Sequence, residues 1–168
     1  MNYLIKNYKE KHSIFIIFIL IISMIFDILW IKIYDLVPAW DQGFHLSYLY
    51  KYHYLIKDCN LFDLNWWKMF WSVSDNYRGP LTYILSGIFT QISQLSLNNA
   101  ILSNSLFNIL NVITIYKISN KFFSREIGLW ASFFYSFNSY IFNLRNDYLI
   151  DLSQLSFLYL NYLLLSNW

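Results

Sequence analysis

Long apolar runs separated by short polar turns make up most of this chain. Residues 13–33 (SIFIIFILIISMIFDILWIKI) are apolar at almost every position. About 20 such residues cross a bilayer, so the run predicts a first transmembrane helix. Its apolar core is longer than that of a cleavable signal peptide, and no small-residue cleavage site accompanies it. The span is therefore read as permanent. Lys6, Lys9 and Lys11 precede it against Glu10, which places the N-terminus on the cytoplasmic side. Asp27 lies inside the run. An acid there is costly and is a functional suspect by default; the plainer reading is that it sits near the outer end or faces another helix.

Val37 and Pro38 end this helix, and Trp40 falls where an interfacial aromatic belongs. From Asp41 to Lys57 the pattern becomes amphipathic, with His45, Leu49, Tyr52 and Ile56 on one face. Residues 61–71 (LFDLNWWKMFW) hold three tryptophans beside Asp63 and Lys68. Both segments are too short or too polar to span and are expected to lie in the interface, the tryptophans as anchors. Turn chemistry follows at residues 74–80 (SDNYRGP), with Pro80 near the first turn of the next helix. Residues 81–97 are long enough to cross but are interrupted by Ser, Thr, Gln and Gly. Three clearer spans are expected at 100–116, 127–144 and 148–165. In the first, Asn104, Asn108 and Asn111 recur at helical spacing and suit interhelical hydrogen bonds.

Composition sharpens this picture. The chain is 57% hydrophobic and 13% charged, about half the charged fraction of a soluble domain. A net charge of +2 is too mild to suggest a nucleic-acid partner. The single cysteine, Cys59, permits neither an internal disulfide nor a cysteine-based metal site. The expected class is all-α: a polytopic helical membrane protein with about four transmembrane helices, and interfacial helices in the first outer loop. Residues 1–168 form a single membrane region, and residues 36–99 form an extracytoplasmic loop with membrane-lying helices.

Segment 81–97 decides the topology. If it crosses, the basic turn with Lys117, Lys121 and Arg125 lies outside, and Asp151 is on the opposite side from Asp41. If it dips, the basic turn lies inside, and Asp147 and Asp151 share the outer face with Asp41. The positive-inside rule favours the second arrangement.

Candidate chemistry gathers at Trp40-Asp41-Gln42-Gly43-Phe44-His45-Leu46. Asp41 and His45 are four apart, so a helix here puts both on one face. A carboxylate with an imidazole at a membrane surface suits proton abstraction from a hydroxyl. Asp41 also suits an N-cap for a helix beginning at Gln42 or Gly43; the two roles are compatible.

The order of a first span, WDQGFHL, interfacial helices, YRGPLTYIL, a span, the basic turn KISNKFFSRE, a span and YLIDLSQL resembles the N-terminal membrane core of the GT-C glycosyltransferases. That group includes protein O-mannosyltransferases and lipid A aminoarabinose transferases. The resemblance runs from about Ile14 to the end. It implies that Asp41 matches the family's catalytic base, with Gln42 in place of the Glu of the usual Asp-Glu pair. His45 matches a histidine found in some members, and Gly79-Pro80-Leu81 corresponds to a Pro-Pro-Leu stretch. Asp151 matches an acid of the second outer loop, here without the following proline. The implied reaction transfers a sugar from a polyprenyl-phosphate carrier to an acceptor hydroxyl or amine with inversion. Arg78 is then a partner for the lipid phosphate or an interface anchor. Asp151 orients the site, binds acceptor, or caps the last helix. A divalent metal occurs in some relatives, and Asp41, His45 and Asp151 are the residues here that could bind one. Complete members are longer, so the resemblance implies a fragment, an inactive truncated relative, or one half of an enzyme whose partner chain supplies the C-terminal part. The rival reading is a non-catalytic membrane scaffold or assembly subunit, which needs the spans but not Asp41. A transporter fragment is a third reading, with Asp27 and the asparagine face its only hint.

Overall fold

The computed structural model describes residues 2–34, 38–74 and 79–166, with side chains from His12 onward. The described chain is all-helical: α1 (Asn2–Ile33), α2 (Trp40–Lys57), α3 (Leu64–Ser72), α4 (Leu81–Ser93), α5 (Leu97–Leu102), α6 (Asn104–Phe122), α7 (Arg125–Ser136), α8 (Ser139–Asn146) and α9 (Asp151–Leu165). Among the described residues, two helical stretches are long and apolar enough to cross a membrane, His12–Ile33 and Leu97–Phe122. The pair α8 and α9, bent by 115° at the break between them, makes a third if counted as one broken span.

Helix α6 is the centre of the bundle. It packs most extensively on α7 and α9, and α1 lies against α7. The approach of α6 to α7 follows from small side chains. Gly128, Ser132 and Ser136 recur every fourth residue of α7 and are all buried. A Cβ at Gly128 would stand 3.0 Å from the Tyr116 carbonyl oxygen and 3.0 Å from its ring. Ser132 Oγ donates to the Val112 carbonyl at 3.2 Å. Small residues of this kind let membrane helices come together without a hydrophobic driving force.

The asparagines of α6 do what their spacing predicts. Asn104 Nδ2 donates to the carbonyls of Arg145 and Asp147, at 3.2 and 2.8 Å. Asn108 Nδ2 reaches Ser23 Oγ at 3.3 Å, and Asn111 Nδ2 reaches the Tyr135 hydroxyl at 2.7 Å. Each turn of the stripe therefore addresses a different neighbour. Asp27 is answered in the same core. Arg145 Nε lies 3.0 Å from both Asp27 oxygens, and Nη2 lies 2.9 Å from Oδ1. Arg145 Nη1 also donates to the Ser136 carbonyl at 2.6 Å. The intramembrane acid thus faces another helix and ties α1 to α8.

A second unit, α2, α3 and α4, is built on aromatics. Tyr48, Tyr52, Trp66, Phe70 and Tyr83 form its core. His45, Leu49 and Tyr52 of the expected α2 face are buried, and Ile56 packs against this core. On the facing side of α4, Ser86, Gly87 and Thr90 keep the helices close. Two of the expected tryptophan anchors hold the unit itself together: Trp66 Nε1 donates to the Leu55 carbonyl and Trp67 Nε1 to that of Leu61, both at 3.0 Å. Trp40 and Trp71 are exposed.

Two expectations need correction, and one open choice narrows. Residues 81–97, read as either crossing or dipping, hold no helix long enough to cross. Helix α4 stops at Ser93, and Gln94 turns the chain with φ 75°. Thirteen residues reach about 20 Å, short of a hydrocarbon core about 30 Å thick. The run 127–144 is broken at Phe137 and Asn138, because the Asn138 side chain accepts from the amides of Tyr140 and Ile141 and starts a new helix. The last helix begins at Asp151, not at residue 148.

Candidate functional site

A cleft of about 170 Å³ opens where α1 ends and α2 begins. Its lining includes Trp30 and Tyr34 from the end of α1, Gln42 from the first turn of α2, Asn98 from α5, and Asn146 and Asp147 from the end of α8. The Trp30 and Tyr34 rings stack at 4.8 Å. Gln42 Nε2 donates to Asp147 Oδ1 at 2.7 Å, across 105 positions of sequence. The neighbouring turn is locked in the same direction. Tyr148 packs with Leu46 and Leu49 of α2, Ile150 packs on the aromatic core, and Thr82 and Ser153 share a hydrogen bond at 2.6 Å.

The expected site residues fall in different places. Asp41 is exposed in the first turn of α2. It is not the N-cap. The helix starts one residue earlier, at Trp40, with Ala39 in the capping position and no side-chain cap bond. An acid inside the first turn still suits the positive end of the helix. His45 lies one turn further on and is buried, with Nδ1 2.7 Å from the Tyr83 hydroxyl and its ring stacked on Tyr83. Among the expected residues that are described, Gln42 alone lines the cleft. Arg78 lies outside the described residues. Asp151 is exposed at the start of α9, where no side-chain cap bond forms, so it is not a cap either. It lines a separate, more open cleft with Tyr140, Gln154 and Leu158.

The second acid that meets the first loop is therefore Asp147. Among the described residues no cation pairs with it, and its side chain accepts from Gln42. Asp41, His45 and Asp151 do not assemble into a metal site: among the described residues, no group of three His, Cys, Asp or Glu side chains gathers around one point. Tyr83 and Asn146 carried no signal in the sequence. An isolated tyrosine in an aromatic-rich chain, and an asparagine beside a charged pair, resemble many others.

A second histidine is also set in the α2–α4 contact. His53 Nδ1 lies 2.9 Å from Thr90 Oγ1, whose own hydrogen goes to the Gly87 carbonyl at 2.9 Å. His53 must then be the donor, with a proton on Nδ1. Burial, reinforced by the nearby Lys57 charge, holds its pKa below the ordinary histidine value.

No protein-family model, curated protein or solved structure matches the chain.

Proposed function

We propose that this chain is the membrane core of a glycosyltransferase that moves a sugar from a polyprenyl-phosphate carrier to an acceptor hydroxyl or amine. The observation that carries the reading is the Gln42–Asp147 hydrogen bond. It brings the acid-bearing 147 turn against the residue next to Asp41, at the end of a helix fit to cross a membrane. In this reading α1 runs outward, α6 returns, α7 and α8 together carry the chain out and α9 leads it back, so both acidic turns lie on the outer face. The contact between the two turns supports that arrangement over one in which residues 81–97 cross. The N-terminus is then cytoplasmic, and the basic turn after α6 is inside.

The chemistry follows from the exposed Asp41. The acceptor oxygen or nitrogen attacks the anomeric carbon opposite the carrier phosphate. The bond from that carbon to the phosphate oxygen breaks, polyprenyl phosphate leaves, and the Asp41 carboxylate takes the acceptor proton. Arg78 is assigned to the leaving phosphate. Asp147, through Gln42, is assigned to orienting the acceptor, and Asp151 to a more distant part of it.

Asp41→Asn tests the reading. Membranes carrying the native protein are given a labelled polyprenyl-phosphate sugar, and transfer is followed. The variant should insert normally and lose transfer by about 10²-fold or more. Unchanged transfer would remove Asp41 from the mechanism. A scaffold role is the second reading. It is favoured by His45, which is buried against Tyr83 rather than presented beside Asp41. A scaffold tolerates Asp41→Asn and fails on disruption of the α2–α4 contact.

A further inference from the structure

At the other end of the bundle, a cleft of about 320 Å³ lies between α1, the end of α6 and the first turn of α7. Ser13, Tyr116, Asn120 and Arg125 line it, and none of these is aliphatic. Helix packing aims them at one another. Tyr116 and Asn120 stand one turn apart on α6, and Arg125 stands one turn before Gly128 on α7. Gly128 is the residue that lets α7 settle on the Tyr116 ring and carbonyl. Arg125 is half-buried. Among the described residues its guanidinium has no acid within ion-pair distance and no hydrogen-bond acceptor. Glu126 beside it is exposed and has an interaction of its own. The Tyr116 hydroxyl and the Asn120 amide make no hydrogen bond either, whereas Ser13 is already engaged. The side chains before His12 lie outside the described residues, and the cleft is defined without them. A partly desolvated guanidinium gains from an anionic partner.

We propose that this cleft binds a phosphate group, and that its occupant is the head group of an acidic phospholipid. A guanidinium presents its N–H donors as a planar fork that pairs bidentately with phosphate. The Tyr116 hydroxyl and the Asn120 amide add donors from the same lining. Arg125 also stands in the first turn of α7, where the helix dipole favours an anion. Position selects the lipid over soluble phosphate. Ser13 is the second residue of the His12–Ile33 stretch, and Asn120 lies two residues before the end of the Leu97–Phe122 stretch. Both boundaries belong at head-group depth. Ile14 and Ile127 beside the cleft are exposed apolar side chains, suited to the acyl chains. An acidic lipid is favoured over a zwitterionic one, whose own ammonium already balances its phosphate. In the topology proposed above this end faces the cytoplasm, where acidic lipids attract basic segments. Binding is read in detergent and without turnover, so it depends on neither that topology nor sugar transfer.

Native mass spectrometry of the purified full chain in mild detergent, titrated with lipids of matched acyl chains, tests this. Phosphatidylglycerol should bind about tenfold or more tightly than phosphatidylcholine. That comparison is made on the unmodified protein, so it does not depend on a variant folding. Equal binding of the two lipids would overturn the proposal. Arg125→Gln should erase the preference. Lys117→Gln, which removes an exposed charge outside the cleft, should leave most of it in place. A preference that survives Arg125→Gln, or that falls as far with Lys117→Gln, would overturn the assignment to this cleft. Inorganic phosphate distinguishes the source. Displacement of the lipid at millimolar levels would show that soluble phosphate suffices and would overturn the lipid assignment. Failure to displace it upholds the lipid.

Discussion

Removing one member of the Asp27–Arg145 pair should be the most damaging single change in the bundle. Arg145 is 2% exposed and presents its Nε and Nη2 edge to both Asp27 oxygens, with contacts of 2.9–3.0 Å. Asp27→Asn keeps the shape but leaves a guanidinium buried among apolar helices with no counter-charge. Breaking a buried pair this way costs about 3–5 kcal/mol, a shift of at least about two orders of magnitude in the folded fraction. An interhelical hydrogen bond such as Asn108–Ser23 is worth about 0.6 kcal/mol on average. The contrast is therefore large enough to measure. The assay is equilibrium unfolding in mixed micelles of mild detergent and dodecyl sulfate, followed by circular dichroism, for Asp27→Asn, Arg145→Met and the double variant Asp27→Leu/Arg145→Met. Each single variant should lose several kcal/mol. The double variant should recover most of it, because the cost lies in the unpaired charge rather than in the missing bond. Single variants within about 1 kcal/mol of the parent would refute the argument, as would a double variant no better than either.

Other outcomes follow from the packing. Gly128→Val should cost about 1–3 kcal/mol, since its Cβ would meet the Tyr116 carbonyl at 3.0 Å and a backbone atom cannot swing aside; the same unfolding assay reads it. His53 titrates below its unfolded value. The unfolded chain therefore binds more protons between the two pKa values, and stability should be full above about pH 6.5 and fall as pH drops through the lower one. His53→Gln should flatten that slope in unfolding curves taken from pH 7.5 to 5. Cys59 is exposed on the loop after α2, and Asn143 is exposed on α8. A membrane-impermeant maleimide should therefore label Cys59, and an Asn143→Cys variant lacking Cys59, in intact cells. Labelling of Asn143→Cys only after lysis would refute the two-turns-outside topology.

The sequence made the long elements and their polar faces readable, for a physical reason. The run 13–33 is a continuous apolar signal and the asparagine stripe of α6 a periodic one; both survive tertiary context, and both appear as expected. Breaks inside apolar segments were harder. Asn138 ends one helix and caps the next, but in an asparagine-rich chain nothing separates it from Asn104 or Asn111, which sit inside a helix. Gln94 turns the chain with positive φ, at a residue with no special tolerance for it. The pairing of Asp27 with Arg145 was invisible because it joins positions 118 apart.

The candidate site shows the same limit in sharper form, and the reason Asp147 meets the first loop while Asp151 does not is helix phase. Asp147 follows the last residue of α8, in extended conformation, so its side chain is free to leave the helix path and reach Gln42. Asp151 opens α9, and from there Leu155 and Leu158 continue on the same face, which lines the other cleft with Tyr140 and Leu144. A shift of four residues thus moves an acid from the polar cleft at the end of α1 to an apolar groove. Matching acids by their order along a chain cannot see this, because order is preserved while direction is set by where each helix starts. The distinction has an experimental edge. If the two turns work as one site, Asp147→Asn and Gln42→Leu should be non-additive, as expected of two groups sharing one hydrogen bond, with a coupling of about 0.5–3 kcal/mol in binding or stability. Asp151→Asn should add independently to either, since it shares no partner with them. Additive behaviour of Asp147 and Gln42 would mean that their bond does not organise the cleft.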